Sequence, residues 1–286
     1  MSELARRVAF AVAAIPVVIW VVWQGGLPLA LLLAVASAIG AWEFYRIAAA
    51  GGSGKPFVVA GVAASAAIPI LVHADNAGWA RVPVSVATLA ILALLAASIW
   101  ARGVSGRPLS AVAATVFGVL YTGVMLSFGY ALRYYPYAID ARAGAAVVGL
   151  PVLLTWASDT GAYFVGRALG KRKLIPSVSP GKTVAGAVGA LVVTAVVCVL
   201  YSRYVLRPAA QLAFSPWGAV LFGLAISVVA QVGDLVESLL KREAGVKDSS
   251  HVIPGHGGVL DRFDSLLFVL PAAYPLLLRL LLPAPL

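Results

Sequence analysis

Long apolar runs recur along this chain, and no other feature constrains its fold as strongly. A helix needs about 20 residues to cross the hydrocarbon core of a bilayer, and only structures that satisfy every backbone group internally survive there. Read against Gly, Pro and charge breaks, the runs fall at 8–23, 27–46, 57–73, 83–100, 111–132, 145–168, 184–205, 216–240 and 264–283. The pattern predicts an all-α polytopic integral membrane protein with about nine transmembrane helices joined by short loops. Composition agrees, with 62% of residues hydrophobic and 11% charged. Arg6 and Arg7 before the first run resemble the head of a secretory signal, but Trp20, Trp23 and the lack of a small-residue cleavage site predict a retained span. The single cysteine, Cys198, lies in an apolar run, which excludes a disulfide framework and a cysteine metal site.

Orientation follows from the basic residues, because positive loops stay in the cytosol. With the N-terminus inside, fifteen Lys and Arg face the cytosol and six (Arg81, Arg133, Arg142, Arg203, Arg207 and Arg279) face out. The C-terminus is then outside, and both long polar loops, 169–183 and 241–263, are cytosolic. A net charge of +10 reads as cytosolic loops beside anionic membrane lipid, with no soluble basic module to bind nucleic acid. Two regions follow: residues 1–144 as spans serving as scaffold or lipid-facing wall, with Glu43 the only acid inside them, and residues 145–286, with loops 169–183 and 241–263, as the region that carries the function.

Seven of the eleven acids lie in that second region: Asp159, Asp234, Glu237, Glu243, Asp248, Asp261 and Asp264. Asp159, Asp234 and Glu237 fall inside predicted spans, where an ionised carboxylate costs on the order of 2.5–3.5 kcal/mol. Ser227, Gln231, Asp234, Ser238 and Lys241 share one helical face of the eighth span, and Thr155, Ser158, Asp159 and Gly166 add polarity to the sixth. Together they predict a polar cavity open to the cytosol. Alternatively, Asp159 and Asp234 pair with Arg167 or Lys241 simply to hold helices together, and Glu237 reads equally well as structural. Loop 169–183 offers Lys171, Arg172, Lys173 and Lys182 with Ser177, Ser179 and Thr183, donor types that suit phosphate. Its Gly-Lys-Thr resembles a P-loop, but Pro176 stands where the first glycine is required. The Gly166–Gly170 spacing reads as helix packing. Loop 241–263 combines Lys241, Arg242, Lys247 and Arg262 with Asp248 and Asp261, and its Gly255, Gly257 and Gly258 allow close approach to an anion. Asp261 and Asp264 are three apart and can point the same way. Carboxylates with no cysteine and few histidines suit Mg2+ bridging substrate phosphates rather than zinc.

The stretch Ser238–Asp264, "SLLKREAGVKDSSHVIPGHGGVLDRFD", resembles the signature of the phosphatidate cytidylyltransferase (CDP-diacylglycerol synthase) family. "SDTGAYFVGRALGK" and "SVSPGKTVAGAVGA" resemble its second hallmark; the N-terminal half resembles the family only as a run of spans. Two departures stand out: Ala185 replaces the acid usual before Gly186, and Lys182 is the sole cation of its segment. The resemblance implies transfer of the cytidylyl group of CTP to phosphatidic acid, giving CDP-diacylglycerol and pyrophosphate, at the cell membrane, by a homodimer. It implies Mg2+, one ion or two, on Asp234, Asp261 and Asp264, with Asp159 a further ligand or a partner of one. Lys182, Lys241, Arg242, Lys247 and Arg262 would neutralise phosphates beside Asp248, and Ser179, Thr183, Ser238, His256, Gly257 and Gly258 would bind the nucleotide. The competing readings are a CTP-dependent lipid kinase of the polyprenol type, with Asp159 as base, and a transporter. The crowding of polar residues on one membrane face and the lack of internal repeats weigh against the transporter.

Overall fold

Backbone N–H and C=O groups have no water to bond in lipid, and the chain answers with helices wherever its apolar runs lie. The computed structural model describes residues 3–52, 54–253 and 257–284, with the side chains of residues 3–11 and 13 left aside. Nine helical rods are present among the described residues: α1 Glu3–Gln24, α2 Gly26–Ala50, α3 Val58–Asn76, α4 Val84–Ala101, α5 Pro108–Arg133, α6 Ala141–Leu169, α7 Val184–Ala210, α8 Pro216–Glu243 and α9 Leu260–Leu280. Each overlays one predicted span. Eight of them, α2 to α9, are long and apolar enough to cross a membrane, and Ala14–Gln24 of α1 is a shorter apolar helix. The rods α5 and α7 are not uniform, since Val119–Val124 and Ser202–Leu206 widen into π-helix.

The all-α expectation needs one correction. Two antiparallel two-stranded sheets are present: β1 (Lys173–Ile175) with β2 (Ser179–Thr183), and β3 (Leu212–Phe214) with β4 (Leu281–Pro283). These segments are too short for spans, so their backbone groups pair across strands rather than along a helix.

The chain packs as two compact units, Met1–Tyr130 with Leu240–Phe263, and Ala131–Leu239 with Asp264–Leu286. The last long loop packs with the N-terminal helices. In the first unit, α2 carries Phe44 and Tyr45, both buried, into contact with small residues of its neighbours. A side chain at Gly61 or Gly118 would strike the Tyr45 ring, the close backbone approach that membrane helices use in place of a hydrophobic driving force. Tyr45 donates to the carbonyl of Thr115 at 2.8 Å. Helix α4 instead turns Leu89, Leu92, Ile99 and Trp100 outward, an apolar surface compatible with lipid.

In the second unit α6 and α7 pack closely. A Cβ at Gly161 would meet Val193 and one at Gly189 would meet Val165, and Ser158 and Ser227 bond across α6 and α8 at 3.0 Å. Gly166 and Gly170 abut Thr183, consistent with helix packing rather than a phosphate loop.

Candidate active site

The second unit holds a cavity of about 640 Å3 lined by α6, the β1–β2 hairpin and α8, including Asp159, Tyr163, Lys173, Lys182, Gln231 and Asp234. Lys182 leaves β2 one residue before Thr183, whose hydroxyl accepts the N–H of Gly186 at 3.1 Å and so caps α7. This fixes the strand-to-helix corner from which Lys182 reaches the carboxylate of Asp234, Nζ to Oδ2 at 2.7 Å, with side chains 26% and 31% exposed. Ser238 donates to the other Asp234 oxygen at 3.4 Å. The polar face of α8 is real: Gln231 donates to Ser227 at 3.2 Å and to the Ala187 carbonyl at 3.4 Å. Asp159 is exposed and stands within electrostatic reach of Asp264, Asp234 and Lys182. Gly233 lets α9 come close, since the Asp264 carbonyl lies 2.9 Å from where its Cβ would be. Asp234 is therefore paired from the hairpin, while Arg167 donates to Tyr163 at 3.0 Å.

The first unit holds the other signature residues. Gly245, at φ +70, ends α8 with Gly245 N–H to the Arg242 carbonyl at 3.0 Å and Val246 N–H to the Lys241 carbonyl at 2.9 Å. Lys241 turns inward to Asp261, Nζ to Oδ1 at 2.6 Å, with side chains 11% and 7% exposed. The second oxygen of Asp261 accepts the Ser249 N–H at 2.9 Å, the Ser249 hydroxyl at 2.8 Å and the Gly258 N–H at 2.9 Å. Arg242 donates to the Val246 carbonyl at 3.1 Å. Lys247, Asp248 and His251 line a cavity of about 710 Å3 with Trp42 and Arg46, and Arg262 is exposed. Gly257, at φ +81, bridges to Ile253. His256 lies outside the described residues.

Asp159, Lys182, Asp234 and Asp264 thus gather in the second unit with Ser238 beside them, whereas Lys241, Asp261 and Gly258 form a tight knot in the first. Ser179 pairs with Ile175 in the hairpin, and Ala185 is half-buried in the first turn of α7. Sequence reasoning missed Glu43, Ser249 and Ser250. Glu43, fully buried in α2, accepts the Val259 N–H at 3.0 Å, the Leu260 N–H at 2.6 Å and the hydroxyl of Ser250, and shares with Asp261 the single hydroxyl proton of Ser249, 3.3 Å away. The available signal was a lone acid inside the first five spans, where a carboxylate without partners is costly.

Among the described residues, no three His, Cys, Asp or Glu side chains converge as a ready-made metal cage. The donor set of the second unit still fits a divalent ion shared with phosphates: Asp159 lies within electrostatic reach of Asp234, Asp264 and Lys182, and Mg2+ is ordinarily held by one or two carboxylates plus substrate oxygens. Asp261 fits less well, because its oxygens already accept from Lys241, Ser249 and Gly258.

The sequence profile of the cytidylyltransferase family matches residues 5–280. A phosphatidate cytidylyltransferase of Bacillus subtilis is 48% identical over 134 residues, 47% of this chain and 48% of its own. One from Haemophilus influenzae is 45% identical over 143 residues, 49% of this chain and 48% of its own. One from Staphylococcus epidermidis is 34% identical over 218 residues, covering 76% of this chain and 78% of its own. The chain spans about half the length of the first two relatives and most of the third. With helices that can cross a membrane, the two hallmark segments and a profile match over nearly its whole length, the chain belongs to the cytidylyltransferase family.

Proposed function

We propose that the chain transfers the cytidylyl group of CTP to phosphatidic acid, releasing pyrophosphate and leaving CDP-diacylglycerol in the membrane. The observation that carries this reading is the partly buried Lys182–Asp234 pair in the second unit's cavity, among membrane-capable helices and beside Asp159 and Asp264. The relatives named for this activity support it.

The chemistry asks little of a base. A phosphate monoester has a second pKa of about 6, so the lipid phosphate is already an anion at neutral pH. One of its oxygens attacks the α-phosphorus of CTP, the bond from that phosphorus to the β-phosphate bridge breaks, and pyrophosphate carries the electron pair away. The obstacle is bringing two polyanions together, and charged clamps meet it. Lys182 exchanges its Asp234 partner for a phosphate oxygen, and Lys173, which lines the same cavity, adds positive charge, with Lys171 and Arg172 next to it in sequence. Ser179 and Ser238 offer hydroxyl donors. When bound at Asp234 and Asp264, with Asp159 nearby, Mg2+ supplies neutralisation of phosphate charge. Lys247 and Arg262 of the first unit we read as further cations for anionic ligands, because they lie in the family signature. The excess of Lys and Arg in alternate loops supports a cytosolic site and an N-in, C-out chain. The family resemblance supports a homodimer.

The test is CTP labelled at the α-phosphate. Label entering the lipid fraction only when phosphatidic acid is present supports cytidylyl transfer; label absent from lipid while γ-label enters it would show a lipid kinase instead.

A further inference from the structure

We infer that Glu43 is a positioning residue that sets the first turn of α9, the turn bearing Asp261 and Arg262. A carboxylate in a membrane-spanning helix is expensive, and Glu43 is 0% exposed, so its donors must offset its loss of water. Those donors come from both ends of one loop. Ser249 and Ser250 stand at its start; Val259 and Leu260 stand at its close, 216 and 217 residues away in the chain. One side chain therefore fastens Ser249 and Ser250 to Val259 and Leu260.

The backbone pair matters most. The first N–H groups of a helix have no partner within it, and the helix dipole places partial positive charge there. Glu43 accepts Val259 N–H and Leu260 N–H at that point, serving α9 as a cap donated by another helix. Asp261 completes the fastening from the first turn of α9: it takes Ser249 N–H and Gly258 N–H, so Ser249 lies between two carboxylates. Gly258 is required by the same approach, since a Cβ there would collide with the Ser249 hydroxyl and the Glu43 carboxylate. Because both carboxylates grip the same few residues, a shift of Glu43 passes to Asp261 and Arg262 without any ligand touching Glu43.

The activity readout rests on the cytidylyl transfer proposed above. In the full chain, Glu43→Gln keeps size but turns one acceptor into a donor facing donors. Turnover per folded molecule is expected to fall on the order of 100-fold, the effect of misplacement by about an ångström, with the KM for CTP changed less than about 3-fold. Amide hydrogen exchange at Val259 and Leu260 should quicken in the same variant. Ser250→Ala removes a single donor and introduces no new polar group, and is expected to lower turnover about 3- to 10-fold at unchanged KM. It serves as the decisive variant if Glu43→Gln does not fold. Wild-type turnover in folded Glu43→Gln, or in Ser250→Ala where only that variant folds, overturns the inference. If the wild-type chain shows no cytidylyl transfer, the functional reading fails on its own. The exchange rates at Val259 and Leu260 then decide the fastening separately, and unchanged rates overturn it.

Discussion

Two lysine–aspartate pairs of nearly equal length occupy opposite surroundings. Lys182–Asp234, at 2.7 Å, has side chains 26% and 31% exposed and lines a cavity, although the Lys182 Nζ itself is enclosed. Lys241–Asp261, at 2.6 Å, is nearly closed off, and Asp261 takes further hydrogen bonds from Ser249 and Gly258. An ion pair in contact with water is worth little and exchanges readily, whereas a buried pair is costly to break because the survivor is left without a counter-charge. The same two side-chain types therefore serve different ends: one keeps a cation available to a ligand, the other fastens a loop.

The sharpest way to break this comparison is through stability. Lys241→Met is expected to cost about 3–5 kcal/mol by leaving Asp261 buried without its cation, while Lys182→Met should cost about 0–1 kcal/mol. Unfolding midpoints of the two purified variants check this, and equal shifts would erase the distinction. Activity separates the pairs next. Asp234→Asn is expected to lower CTP-dependent turnover on the order of 100-fold, about 2.7 kcal/mol, with an unfolding midpoint near that of the wild type. A smaller effect sharpens the frame around the open pair: Thr183→Val removes the α7 cap that fixes the corner beside Lys182, at about 1 kcal/mol of stability, read as a lowered midpoint. The smallest is ionic. Raising salt from about 0.05 to 0.5 M should weaken CTP binding a few-fold through screening of exposed charge, while leaving the buried pair's contribution to the midpoint nearly unchanged.

How much of this was legible in the sequence depends on how far each signal travels along the chain. The nine helices were legible because each is written in its own apolar run, and the polar face of α8 because Ser227, Gln231, Asp234 and Ser238 repeat at helical spacing. The Lys182–Asp234 contact was not, since the hairpin that aims Lys182 is built from strands of three and five residues, punctuated by Pro176 and Pro180, too short to carry strand periodicity. Asp261 read as a metal ligand by its type and spacing, and only the fold reveals how many donors it already serves. Glu43 was the hardest case. Its partners lie 206 to 217 residues away, and no local pattern joins a lone acid in one helix to the start of another.

The central claim, that Lys182 leaves Asp234 to hold substrate phosphate, is tested most directly by pyrophosphate release from CTP. The wild-type chain and Lys182→Met would be compared in mixed micelles with and without phosphatidic acid. Release by the wild type should require both substrates and drop at least on the order of 100-fold in Lys182→Met, with its unfolding midpoint retained. Undiminished release by folded Lys182→Met would contradict the account.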